Sequence, residues 1–181
     1  MTSFVDVCSS VATLNDRYGV GGSQGRRVTC MDIVAGLQEF MECVRYLNTR
    51  RSDGAVLRLE SEADVQDAVY LMLRPWITDL HWENPGDKVA SRYAIKDFIS
   101  TNARTVVEAK YIRDASHGKT VSKELHDDIE MYRRHPACDH IVFFLYDPQA
   151  LIPDRRALIS AIEEPRQYGD HMLACHAVVL P

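Results

Sequence analysis

The stretch Thr105-Val-Val-Glu-Ala-Lys-Tyr-Ile112 decides how this chain folds. Its β-branched and aromatic residues favour extended backbone, and the period of two in a strand puts Val106, Glu108, Lys110 and Ile112 on one face. A carboxylate and an ammonium then project side by side from an otherwise apolar strand. Burying such groups is costly unless they are paired or occupied by a ligand. Alone, the acid-x-Lys triplet carries little weight. A chain of 181 residues with 26 acids and 5 lysines contains about 0.7 such triplets by chance. The plainest reading of one is an ion pair on a solvated strand face.

The surroundings give it weight. Upstream, Ser100-Thr-Asn-Ala103 is short and polar, as a hairpin connection should be. It leads back to an extended segment over 93–99, which sets Asp97 in the strand next to Glu108. A weaker extended segment covers 77–82. Before it, Ser61-Glu-Ala-Asp64 reads as a capping box; the helix it opens carries Val65, Val69, Met72 and Leu73 on one side and stops at Pro75. Downstream, a helix over 120–134 presents Val121, Leu125, Ile129 and Tyr132. Ile141-Val-Phe-Phe-Leu-Tyr146 then reads as a fully buried central strand, closed by an Asp147-Pro148 turn. A helix over 155–163 and a strand over 172–180 follow. The order α-β-β-β-α-β-α-β predicts an α/β fold on a mixed sheet, a hairpin followed by parallel crossovers.

Residues 1–55 differ from the rest and read as a helical N-terminal extension, leaving 56–181 as the main domain. Gly19-Val-Gly-Gly-Ser-Gln-Gly25 is not a phosphate loop, because no Gly-Lys-Ser/Thr follows it. Ile33, Val34, Leu37, Phe40, Met41, Val44 and Tyr46 recur at helical spacing, predicting one helix over 31–46 that packs on the main domain or supplies an interface. Arg50-Arg-Ser-Asp-Gly54 is a polar break.

With 46% hydrophobic and 26% charged residues the composition is that of an ordinary globular domain, which excludes wholesale disorder and collagen-like structure. No apolar run is long enough to span a bilayer and the start lacks a signal-peptide pattern, so the expectation is a cytoplasmic protein with no membrane contact. Cys8, Cys30, Cys43, Cys138 and Cys175 are scattered with no C-x-x-C pair, which argues for free thiols and against a disulfide framework or a structural zinc site. His171, Cys175 and His176 form a metal-looking cluster, but on a strand positions 171 and 176 face opposite ways.

The net charge of −5 does not advertise a nucleic-acid binder. It hides an asymmetry, however. Residues 88–134 hold 10 Lys/Arg against 7 Asp/Glu, while the remainder holds 11 against 19. Two clustered carboxylates, Asp97 and Glu108, repel each other unless a hard divalent cation sits between them. Such a cation polarises a phosphodiester and acidifies water, and Lys110 is suited to orient that water or stabilise developing charge. Glu62, at the start of its helix, is a candidate outer ligand.

Five spaced segments now carry a resemblance: Ser61-Glu-Ala-Asp-Val-Gln66, Lys96-Asp-Phe98, Val107-Glu-Ala-Lys-Tyr-Ile-Arg-Asp114, Glu124-Leu-His-Asp-Asp-Ile-Glu-Met-Tyr132 and Phe143-Phe-Leu-Tyr-Asp-Pro148. In that order they resemble the PD-(D/E)xK nuclease superfamily, and within it the DpnII/MboI-type restriction-endonuclease-like domains, over residues 60–181. The resemblance implies a restriction-endonuclease-like αβββαβ core and a Mg²⁺-dependent DNA endonuclease, with Mn²⁺ as a substitute. Asp97 and Glu108 would be the metal ligands, Lys110 the catalytic lysine and Glu62 an accessory acid. Lys96 stands where the motif's name has proline, and Glu124 where many relatives have glutamine.

The resemblance further implies a homodimer and a bacterial anti-phage setting; with no recognisable sensor or ATPase in the sequence, an activating protein partner is expected. Arg92, Lys96, Arg113, Lys119 and Lys123, with Lys88 and Arg104, are placed to track a phosphate backbone; the alternative is that they neutralise the protein's own acids. Trp76 and Trp82 read as core rather than as base-stacking residues. Two further functions share the features: a catalytically silent nuclease-like module for DNA binding or assembly, and a nuclease acting on RNA or branched DNA.

Overall fold

The computed structural model describes residues 27–49, 57–82, 98–133, 135, 138–169 and 171–181. Asp97, Lys88, Arg92, Lys96 and the glycine-rich loop lie outside them. The strands are β1 (Leu80–Trp82), β2 (Phe98–Ser100), β3 (Thr105–Tyr111), β4 (His140–Tyr146), β5 (Arg166–Tyr168) and β6 (His171–Leu180). They form a sheet in the order β1-β2-β3-β4-β6-β5. The β1–β2, β2–β3 and β5–β6 pairs are antiparallel, whereas β3–β4 and β4–β6 are parallel. The helices are α1 (Cys30–Gln38), α2 (Phe40–Thr49), α3 (Glu62–Leu73), α4 (Ala115–Tyr132) and α5 (Arg155–Ile162). From α3 to β4 the order is αβββαβ on a mixed sheet, the restriction-endonuclease-like architecture expected from the sequence.

The strand period sorts the core into two layers. Val107, Ala109, Val142, Phe144 and Val178 face α1, α2 and α3. Val106, Ile112, Ile141, Phe143, Leu145, Leu173 and Cys175 face the apolar stripes of α4 and α5. Because β4 lies between β3 and β6, both its faces are covered and Ile141, Val142, Phe143, Phe144 and Leu145 are fully buried. That is why its sequence is an unbroken apolar run.

Several boundaries differ from expectation, each for a local reason. The helix expected over 31–46 is two helices that break at Glu39, whose N–H is donated to the Gly36 and Leu37 carbonyls. Both pieces face one core, so the apolar pattern runs through the break. Helix α4 starts at Ala115 instead of 120 because Asp114 caps it, its side chain accepting from the His117 N–H at 2.8 Å. Gly118, which disguises this first turn in the sequence, allows the helix to approach the chain after β4: a Cβ there would stand 2.3 Å from the Leu151 carbonyl oxygen. The short strand β5, after Pro165, was not expected at all. The core reading of Trp82 needs correction: it is 64% exposed on the edge strand, with its ring edge against Tyr70. Trp76 is also partly exposed, laid over Gly36.

Two aspartates tie the connections down. Asp79 accepts from the Ser100 and Thr101 hydroxyls and, at 2.7 Å, from the Asn102 N–H, fixing the β2–β3 turn. Asp147, fully buried, accepts from the Leu151 and Ile152 N–H groups and pairs with Arg155 at 3.1 Å. It is the strand-ending turn that the sequence predicts.

Candidate active site

Glu108 and Lys110 share the face of β3 that looks toward α4, as Val106 and Ile112 on either side of them do. Glu108 is 3% exposed and accepts a hydrogen bond from the Tyr132 hydroxyl. The Lys110 ammonium stands 3.7 Å from Asp128 Oδ2, with both side chains 17% exposed. A carboxylate and an amine at i and i+2 of the strand thus meet a phenol and a carboxylate at i+4 and i of the helix. The spacing follows from geometry. Helix α4 runs back along β3 in the crossover to parallel β4, and two strand residues advance about 6.6 Å against about 6 Å for four helical residues. Glu-x-Lys and Asp-x-x-x-Tyr are therefore commensurate when antiparallel.

Acidic groups gather around this pair. Burial raises the Asp128 carboxyl above its usual range; Lys110 pulls it back, while the charges of Glu124, Asp127 and Glu62 push it further up. Glu62 opens α3, which packs on the other face of the sheet from α4. Asp128 Oδ2 has no hydrogen-bond partner despite its burial. Above it on α4, Glu124 lies 3.5 Å from Nε2 of His117. His117 is 3% exposed and neither of its ring nitrogens makes a hydrogen bond. A polar line thus runs along α4 from His117 to Tyr132.

Of the residues singled out in the sequence, the fold sets Glu108 and Lys110 on one face of β3 and Glu62 at the first position of α3. Asp97 lies outside the described residues, but β2 begins at the next residue, and Phe98 pairs with Val107, the neighbour of Glu108. Lys119 and Lys123 are exposed, one turn apart on α4. Arg113 is exposed just past β3, with its Nε 3.7 Å from Asp114. Arg104 does not join them. It sits at the opposite end of β3 in a two-point ion pair with Asp139, so it neutralises one of the protein's own acids. His117 was missed, and its signal was the seven-residue spacing to Glu124. The i, i+4 series Glu124, Asp128, Tyr132 was visible, but an amphipathic packing helix explains it equally well without the contacts to β3.

The donors gathered here are carboxylate oxygens, the set a hard cation such as Mg²⁺ requires and one that thiophilic metals do not select. The buried Glu108 carboxylate, with the acids that crowd Asp128 beside it, fits such an ion. No helix among the described residues is long and apolar enough to cross a membrane. No curated protein and no solved structure matches the chain significantly. The profile of the DpnII-MboI restriction endonucleases (REase_DpnII-MboI), however, matches residues 31–174, so the chain belongs to that family of DNA-cutting enzymes.

Proposed function

We propose that the chain is a Mg²⁺-dependent DNA endonuclease in which Glu108, together with Asp97, holds the metal, Lys110 acts on the scissile phosphate and Glu62 serves as an accessory acid. The observation that carries this reading is the paired display on one strand face: Glu108 oriented by the Tyr132 hydroxyl and Lys110 held by Asp128. A bound cation would supply charge neutralisation and a more acidic water. The protein's own part is positioning. Tyr132 fixes the Glu108 carboxylate, Asp128 aims the Lys110 amine, and Glu62 adds negative charge that a cation relieves. Lys119, Lys123 and Arg113, with Arg92 and Lys96, are proposed to follow the phosphate backbone on either side.

The family supports DNA as substrate. A homodimer, in which two such sites cut both strands, and a defence role with an activating partner complete the proposal. The net charge of −5 favours such help, since non-specific attraction to DNA is weak for an acidic protein. The test is plasmid cleavage by the full chain with Mg²⁺ or Mn²⁺, alone and with candidate partners, against Lys110→Ala and Glu108→Gln. Wild-type cutting that EDTA and either substitution abolish is the expected result. Equal cutting by all three proteins, or none under any condition, overturns it. Parallel digestion of single strands, RNA and junctions fixes the substrate.

A further inference from the structure

A second group of metal-binding residues lies on the other face of the sheet. His140 opens β4, and His176 in β6 pairs in register with Val142. By strand parity, His140, Val142 and His176 share the face that packs against α1. Cys30, the first residue of α1, is 4% exposed and points into that same layer. The thiol of Cys30 and one ring nitrogen from each histidine all fall within 4.8 Å of one another. The two rings are nearly stacked, 6.1 Å apart with 30° between their planes. The Nδ1 of His140 is buried without a hydrogen-bond partner.

We propose that Cys30, His140 and His176 form a Zn²⁺ site that clasps the start of α1 to strands β4 and β6. One thiolate and two imidazoles are a soft-to-borderline donor set that Mg²⁺ does not select and Zn²⁺ does. Donors around tetrahedral zinc stand about 3.3–3.6 Å apart, so the three donors need to draw together by about 1 Å at most to share an ion. Three protein donors leave the fourth position for water. Binding breaks the Cys30 S–H bond, forms the zinc–sulfur bond and releases the proton to solvent.

The pattern was invisible in the sequence because the three residues are dispersed over 146 positions. The local cluster His171, Cys175, His176 is divided by the strand: Cys175 belongs to the opposite core layer.

The proposal does not rest on the nuclease reading. It is tested with the full chain stripped by EDTA and titrated with Co²⁺, whose thiolate charge-transfer band reports a sulfur ligand. One equivalent of Co²⁺ is expected to develop that band, and Zn²⁺ but not tenfold Mg²⁺ to displace it. Cys30→Ser should abolish the band and His176→Gln weaken binding at least tenfold, with circular dichroism verifying that each variant is folded. The double variant Cys8→Ser/Cys43→Ser and the variant Glu108→Gln should both retain it. Absence of the band in the wild-type protein, its survival in Cys30→Ser, or its loss in Cys8→Ser/Cys43→Ser overturns the site. A zinc-dependent rise in the melting temperature of His176→Gln equal to that of the wild type does so too.

Discussion

Tyr132 shows how a buried residue can govern the orientation of a candidate catalytic one. Its ring is buried in the α4–sheet core and its hydroxyl reaches the Glu108 carboxylate, so packing and orientation are set together. Tyr132→Phe keeps the ring and deletes the donor. Loss of a hydrogen bond to a buried carboxylate costs about 1–3 kcal/mol. Because the freed carboxylate also samples unproductive orientations, single-turnover cleavage is expected to slow about tenfold or more. DNA binding measured with Ca²⁺ should stay within about twofold, since the lysines proposed to track the phosphate backbone are untouched. Equal cleavage rates for Tyr132→Phe and wild type would show that Glu108 is oriented by other contacts. Asp128 offers a complementary check. Its carboxyl is raised, chiefly by burial, so the folded state takes up protons more readily than the unfolded chain and stability falls as pH rises through that range. Asp128→Asn should flatten this dependence in melts between pH 4 and 7 while impairing cleavage through Lys110.

At the scale of elements, close approach and turn chemistry decide what sequence patterns can only outline. Glycine 118 and Gly36 are both tight, yet they respond differently to a methyl group. At Gly118 the obstacle is the Leu151 carbonyl at 2.3 Å, which is backbone; at Gly36 it is the outer ring of partly exposed Trp76 at 2.9 Å, a side chain that yields more readily than backbone although its indole N–H donates to the Met72 carbonyl. Gly118→Ala is expected to cost about 1–3 kcal/mol, lowering the melting temperature by about 3–10 °C. In Gly36→Ala the gain in helix propensity, about 1 kcal/mol, offsets most of the strain. Paired thermal melts check the contrast. The β2–β3 turn responds to acid. Burial opposes ionisation of Asp79, but the Asn102 N–H and the Ser100 and Thr101 hydroxyls more than offset it and hold the carboxyl below its ordinary range. Its contribution is complete above the unfolded value and disappears as pH falls through the lower folded one. Asp79→Asn should therefore be less stable than wild type near pH 6, and the gap should narrow below about pH 4. The same elements show what could be read in advance. Periodicity placed β3, β4, α3 and α5 to within a few residues, because each exposes one uninterrupted pattern. It missed the first turn of α4 and all of β5, because a glycine needed for a long-range approach and a three-residue edge strand leave no periodic trace. At the site, the Glu108/Lys110 face was legible from strand alternation; their partnership with Tyr132 and Asp128 was not, because it depends on how far α4 slides along β3.

For the molecule as a whole, the two faces of the sheet divide the work. One carries α4, α5 and the candidate catalytic line; the other is covered by α1, α2 and α3. Cys30, Ile33, Val34, Leu37, Phe40 and Val44 are all buried there, with the Phe40 ring 4.7 Å from that of Phe144 in the central strand. At about 1.5–3 kcal/mol for each large side chain buried, this layer contributes on the order of 10 kcal/mol, comparable to the whole stability of a typical domain. Residues 56–181 expressed alone would bare Val142, Phe144 and Val178, the β4 and β6 residues of this face, to water. They are expected to show no cooperative thermal transition, to bind a hydrophobic dye and to lose cleavage, because Glu108 and Ala109 occupy adjacent positions on opposite faces of one strand. Co-expression with residues 1–55 as a separate chain should restore part of the transition if burial is what is missing. A cooperative melt of the isolated fragment close to that of the full chain would instead mean that α1 and α2 cover a core able to hold together without them.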